Sequence, residues 1–124
     1  HIALSDDGVN TKAYINGVPE ATMTSVVDTV INTIGAYSTG GFTVDGKMSN
    51  VAYWQDTNLS DAQILSIYNN GTPNDISSLS PTAWWKLNAE DVFVYPNWVI
   101  RDSAGSNDGT SSGMTSANLV QSNL

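Results

Sequence analysis

The sequence predicts an all-β chain, an antiparallel β-sandwich or jelly roll with one short helix near residues 60–69. Three observations predict it. Short runs rich in β-branched and aromatic residues recur along the 124 residues, separated by turn-forming Gly, Asn, Asp and Pro. One of these runs, Met48-Ser49-Asn50-Val51-Ala52-Tyr53-Trp54, places apolar groups on both faces of its alternation. That suits a strand held between two layers better than one with a wet side. Finally, the stretch from Leu59 to Gly71 carries agreeing helix start and stop signals.

Taken in order, His1-Ile2-Ala3-Leu4-Ser5 reads as a strand, Asp6-Asp7-Gly8 as a turn and Thr11-Lys12-Ala13-Tyr14-Ile15 as the returning strand. Asn16-Gly17 is a strong two-residue hairpin signal, because both residues tolerate positive φ. Val18-Pro19-Glu20 then leaves on an edge, where Pro is tolerated. Residues 23–34, rich in Val, Thr and Ile, read as one or two strands. Ser60 with Gln63 forms a capping box, Leu59 and Ile64 form a hydrophobic staple, and Asp61 suits the helix N-terminus. Asn70-Gly71 stops the helix. Residues 72–82, with two Pro and no aromatic, read as a connector. Ala83-Trp84-Trp85-Lys86-Leu87 and Trp98-Val99-Ile100 are short strands, residues 102–109 a polar turn, and Asn118-Leu119-Val120 a weak strand.

Composition narrows the function. Four Lys plus Arg against twelve Asp plus Glu give a net charge of −8. That argues against nucleic acid, whose phosphates need a basic surface, and against an anionic membrane. The apolar runs are too short for a bilayer-spanning helix, so no membrane insertion is expected. With no Cys there is no disulfide framework, and stability must come from packing, assembly or metal. The chain opens at His1 inside a strand pattern, without an initiator Met or a leader, as expected of a piece of a longer protein.

The motifs come in a telling order. His1-Ile2-Ala3-Leu4, Asp7-Gly8 and Lys12-x-Tyr14-Ile15-Asn16-Gly17 are followed by Ile34-Gly35, Phe42 and Gly46-Lys47-Met48-Ser49-Asn50-Val51-Ala52-Tyr53-Trp54. Leu59-Ser60-Asp61-Ala62-Gln63-Ile64 and Tyr68-Asn69-Asn70-Gly71 complete the series. Together they resemble the C-terminal half of a laminin-G-like, concanavalin A-like lectin/glucanase domain, over roughly residues 2–71. The stretch from Trp84-Trp85-Lys86-Leu87 through Asp102-Ser103-Ala104-Gly105 to Asp108-Gly109-Thr110-Ser111 resembles segments that follow such domains in tailed-phage and marine viral structural proteins. It also resembles the opening of another domain of the same type. The resemblance therefore implies three parts: 1–71 as the C-terminal half of a sandwich, 72–82 as connector, and 83–124 as a β extension or the start of a following sandwich. The front half of the first sandwich is then left to another chain or segment.

Catalysis finds little support in the residue inventory. A retaining glycosidase needs two carboxylates about 5 Å apart. The only two Glu, Glu20 and Glu90, sit in separate turn-like contexts, and the strand around Lys47–Val51 has no carboxylate. The single His is His1, which leaves no base for a nucleophilic triad. No cofactor is required. Calcium stays open: Asp102, Asn107 and Asp108, and separately Asp6-Asp7, offer oxygen ligands, and laminin-G-like domains often bind calcium on one rim. The same residues also make ordinary turns. Among the aromatics, most suit a core, while Tyr95 and Trp98, beside Pro96-Asn97, are the candidates for stacking on a glycan. Trp84 and Trp85 are candidates for docking a neighbouring sandwich. Asn58-Leu59-Ser60 and Asn70-Gly71-Thr72 have glycosylation spacing, and both also serve as helix start and stop.

The expectation is thus a non-catalytic structural or adhesive module of a virion appendage or extracellular fibre-like assembly, on the virion surface or outside the cell. Its partners would be copies of itself, a homo-oligomer or polymer sharing strands or surfaces. The alternative is a carbohydrate-binding lectin-like module, with calcium as an assistant.

Overall fold

The computed structural model describes residues 1–24, 31–37 and 41–120. Among these the chain is mostly strands in three small antiparallel sheets, with one short helix. It divides into two compact units: residues 1–48 with 58–71, and residues 49–57 with 72–124. The segment 49–57, grouped with 1–71 from sequence, lies in the second unit.

In the first unit, β1 (Ile2–Asp6), β2 (Thr11–Ile15) and β3 (Val18–Met23) form a meander in that order. Asn16 and Gly17 turn between β2 and β3 at φ 51° and 78°, the positive values a two-residue hairpin of this kind demands. Opposed residues of an antiparallel pair share a face. One face therefore carries Ile2, Ile15 and Val18 in one row, Leu4, Ala13 and Ala21 in the next, and Asp6, Thr11 and Met23 in the third. Ala3, Tyr14 and Pro19, then Ser5, Lys12 and Thr22, lie on the other. A bulge at Ala13/Tyr14 makes Glu20 the extra residue of β3.

The helix α1 (Asp61–Tyr68) begins as its local chemistry dictates. Ser60 Oγ accepts from the Gln63 amide at 3.3 Å, and Gln63 Oε1 accepts from the Ser60 amide at 2.9 Å. Leu59 and Ile64 are both buried. The helix ends one residue earlier than the Gly71 signal suggests, because Asn69 itself takes the left-handed cap at φ 43°. Gly17 lies directly against α1: a Cβ there would meet Leu65 Cα at 3.0 Å and Leu65 Cδ1 at 2.8 Å.

In the second unit, β4 (Val51–Tyr53) pairs with β5 (Ala83–Trp85), joining two stretches read from sequence as belonging to different parts. The strand read from Met48 is short because Asn50 takes φ 53°, which no strand accommodates. Next come β6 (Val92–Val94), β7 (Asn97–Ile100) and β8 (Gly109–Thr110), paired in that order. The core of this unit is Ile76, Ala83, Trp84, Trp85 and Trp98. The weak strand expected at Asn118-Leu119-Val120 does not form: Asn118 ends a 3-10 turn over residues 116–118, and residues 119–120 are irregular. The strand reading for residues 23–34 falls partly on residues 25–30, which lie outside the described residues; among the described ones Met23 ends β3, while Thr24 and residues 31–34 are irregular.

Candidate functional site

The tightest polar constellation is built around Asp102, in the turn that follows β7. Asp102 Oδ1 accepts from the amides of Trp84 and Ala104, both at 2.9 Å, and Oδ2 accepts from the amide and the carboxamide of Asn107, both at 3.0 Å. Burial opposes its ionisation, but those four donors outweigh burial and hold the Asp102 carboxyl down to about 2. Asp108 continues the arrangement, accepting from the Asp102 amide at 2.9 Å and from Arg101 Nη1 at 2.7 Å, and both contacts lower its pKa. The turn clasps β5 in return: Ser103 N donates to Trp84 O at 2.7 Å, and the Trp85 indole donates to Asn107 O at 2.8 Å. Gly105 leaves just enough room, since a Cβ there would lie 3.1 Å from Asp102 Oδ2.

Asp102, Asn107 and Asp108, the residues offered to calcium, are thus brought together. A calcium ion on Asp102 would have to displace N–H donors, since each of its carboxylate oxygens already accepts two. Among the described residues no group of three or more His, Cys, Asp or Glu is placed to hold a metal. These hydrogen bonds join the buried β5 to the turn that follows β7.

The aromatic candidates separate. Tyr95, at the tip of the β6–β7 hairpin, is 87% exposed. Trp98, the other glycan candidate, is buried: it is 8% exposed, its indole donates to Thr115 O at 2.8 Å, and Phe93 meets its ring edge-on at 5.3 Å. Trp98 sits on the covered side of a three-stranded sheet, whereas Tyr95 occupies a turn. Trp84 and Trp85, expected to dock a neighbour, are likewise buried within their own unit. Lys86 Nζ stands 4.8 Å from the Trp84 ring centroid.

The first unit holds a second polar arrangement, which sequence reasoning missed. Asp61 Oδ1 accepts from Tyr14 Oη at 2.8 Å and from Lys12 Nζ at 3.3 Å, so the start of α1 is tied to β2. Both contacts lower the Asp61 pKa. Burial, and then the hydrogen bond to Asp61, push the Tyr14 phenol up to about 12. Ser5 Oγ donates to Asn58 Oδ1 and to Leu59 O on the same side. These groups border a cavity of about 290 Å³ with Asp7 and Asn10 at its rim. The signal was present in the alternation of β2, which puts Lys12 and Tyr14 on one face, but the partner forty-seven residues on was not legible.

The opposite face of this sheet is the most conspicuous surface. Ile2 is 81% exposed, and Leu4, Ile15, Val18 and Met23 are each close to half exposed or more. A sheet face with two such apolar rows is ordinarily buried under a second layer. Among the described residues no helix is long and apolar enough to cross a membrane. Compared with known protein families, with curated proteins and with solved structures, the chain matches none.

Proposed function

We propose that this chain is a non-catalytic structural or adhesive module of an extracellular or virion-surface assembly, its first unit being one layer of a laminin-G-like β-sandwich whose second layer comes from a neighbour. The observation that carries this reading is the apolar face of β1, β2 and β3. The segment 58–68 engages the other side of the sheet through Ser5, Lys12 and Tyr14, while Ile2, Leu4, Ile15, Val18 and Met23 stand in solvent. Exposed patches of this kind mark interaction surfaces. The acidic residues support the same reading, because Asp7, Asp102 and Asp108 are engaged in shaping turns.

Sedimentation velocity over a range of concentrations tests the proposal. The chain associates, and Ile15→Lys, which sets a charge in the middle of the face, reduces the size of the species formed. A chain that stays monomeric throughout, or association indifferent to Ile15→Lys, overturns it.

A second reading, a carbohydrate-binding module, is favoured by Tyr95 alone, whose ring is exposed at a hairpin tip. Binding on a glycan array that disappears in Tyr95→Ala would establish it. A silent array removes it.

A further inference from the structure

The two edges of the β1–β2–β3 sheet are not alike. On the β3 edge, Pro19 lacks an N–H, Glu20 adds a charge, and a bulge interrupts the ladder. These are the features that keep one sheet from adding to another. The β1 edge has none of them over Ile2-Ala3-Leu4-Ser5.

The orientation of its backbone follows from the ends of the ladder. Asn16 N donates to His1 O at 2.9 Å and Asp7 N to Asn10 O at 3.1 Å. Those two pairs fix the alternation, so Ala3 with Tyr14 and Ser5 with Lys12 are the hydrogen-bonded pairs of β1 and β2. The N–H and C=O of Ile2 and Leu4 therefore point away from β2, to the outer edge.

We propose that this edge pairs with the same edge of a second copy, β1 antiparallel to β1, in the register that sets Ala3 opposite Ala3. In that register Ile2 of each copy faces Leu4 of the other. Every outward N–H and C=O of these two residues then finds its counterpart, four hydrogen bonds in all. The side chains agree with it. Ile2 and Leu4 stand opposite each other on the apolar face, and the small Ala3 pair meets on the face that carries α1. Charge agrees as well. In a chain of net charge −8, the paired stretch contains no carboxylate. The two Asp6 residues fall at opposite ends of the seam, six residues or about 20 Å apart, beyond the screening length at physiological salt. The contact is isologous and closes on itself, so it makes a dimer with one six-stranded sheet.

This inference rests on the structural reading above but is separable from it. The test is amide hydrogen exchange, read residue by residue, in Ile15→Lys, where stacking through the apolar face is weakened and the edge is left intact. From dilute to concentrated protein, exchange at Ile2 and Leu4 slows by about tenfold or more as a dimer forms, while Ala3 and Ser5, already bonded to β2, change little. Leu4→Pro removes one outward N–H without touching the β1–β2 ladder and weakens the dimer by about tenfold or more. If oligomers form but Ile2 and Leu4 exchange at one rate at all concentrations, the edge proposal is wrong and the structural reading stands. If wild type associates and Ile15→Lys is monomeric throughout, the face alone carries assembly and the edge proposal is again overturned. If wild type does not associate at all, both fail.

Discussion

Replacing Asp102 by Ala removes one acceptor from four donors at once: the amides of Trp84, Ala104 and Asn107 and the Asn107 carboxamide. Hydrogen bonds to a charged group contribute roughly 1.5–3 kcal/mol each, but bonds sharing one carboxylate do not add. The Trp84 amide is buried, and leaving it unpaired costs about 1–3 kcal/mol by itself. A total loss of about 3–4 kcal/mol follows for the second unit. Asp102→Asn keeps the shape and one acceptor but not the charge. Its expected cost comes from the pKa: a fall from 3.8 to about 2 corresponds to about 2 kcal/mol of preference for the ionised form. Because the folded value lies below the unfolded one, this stabilisation is complete above pH 4 and is lost as pH falls towards 2. Native-state exchange of the Trp84 amide reads it directly. At about 1.4 kcal/mol per factor of ten, Asp102→Ala speeds that exchange by about 100-fold or more. Asp102→Asn has a smaller effect and abolishes the acid-dependent part. An Asp102→Ala chain in which the Trp84 amide exchanges within about threefold of wild type would refute the assignment of the turn as a clasp on β5.

Three further outcomes follow from the first unit. Gly17→Ala forces a side chain into φ 78° and against the α1 backbone, so thermal unfolding of this unit is lowered by about 2 kcal/mol or more, whereas Gly8→Ala, with nothing within 4 Å, shows the backbone cost alone. Ser60→Ala opens the capping box and costs about 1 kcal/mol in urea unfolding, with the Gln63 amide newly exchangeable. Tyr14→Phe removes the hydroxyl bonded to Asp61 and costs about 1 kcal/mol at neutral pH. The folded phenol titrates at about 12 and the unfolded one at 10. Wild type is therefore stable below pH 10 and loses this contribution as pH rises towards 12, a dependence that Tyr14→Phe lacks.

Local rules reached some parts of this chain and stopped at others, for identifiable reasons. The Ser60–Gln63 box and the Asn16-Gly17 turn each involve residues at most three apart, and both form as their chemistry demands. The pairing of Val51 with Trp85 spans a connector and a helix, and nothing in either strand names the other. Val92-Phe93-Val94 went unread because three residues show no period, though the hairpin with Asn97 holds them as a strand. The candidate aromatics were legible as aromatics but not as inside or outside. What separates Trp98 from Tyr95 is the covering of one sheet face, a tertiary property. Asp102 was found for its oxygens, but its role depends on the amide of Trp84, eighteen residues earlier.

The placement of the indoles has an optical consequence. Trp54, Trp84, Trp85 and Trp98 all fall in the second unit, while Tyr14, Tyr37 and Tyr68 are in the first, which has no tryptophan. Three of the four indoles donate to main-chain carbonyls, at Leu79, Asn107 and Thr115. Light absorbed at the red edge, beyond the tyrosine band, thus excites one unit only, and emission from it reports the melting of β4–β8 without a contribution from β1–β3. Tyrosine signals come from both units, since Tyr53 and Tyr95 lie in the second, so it is the red-edge emission that singles out one unit, in one cuvette and without any label.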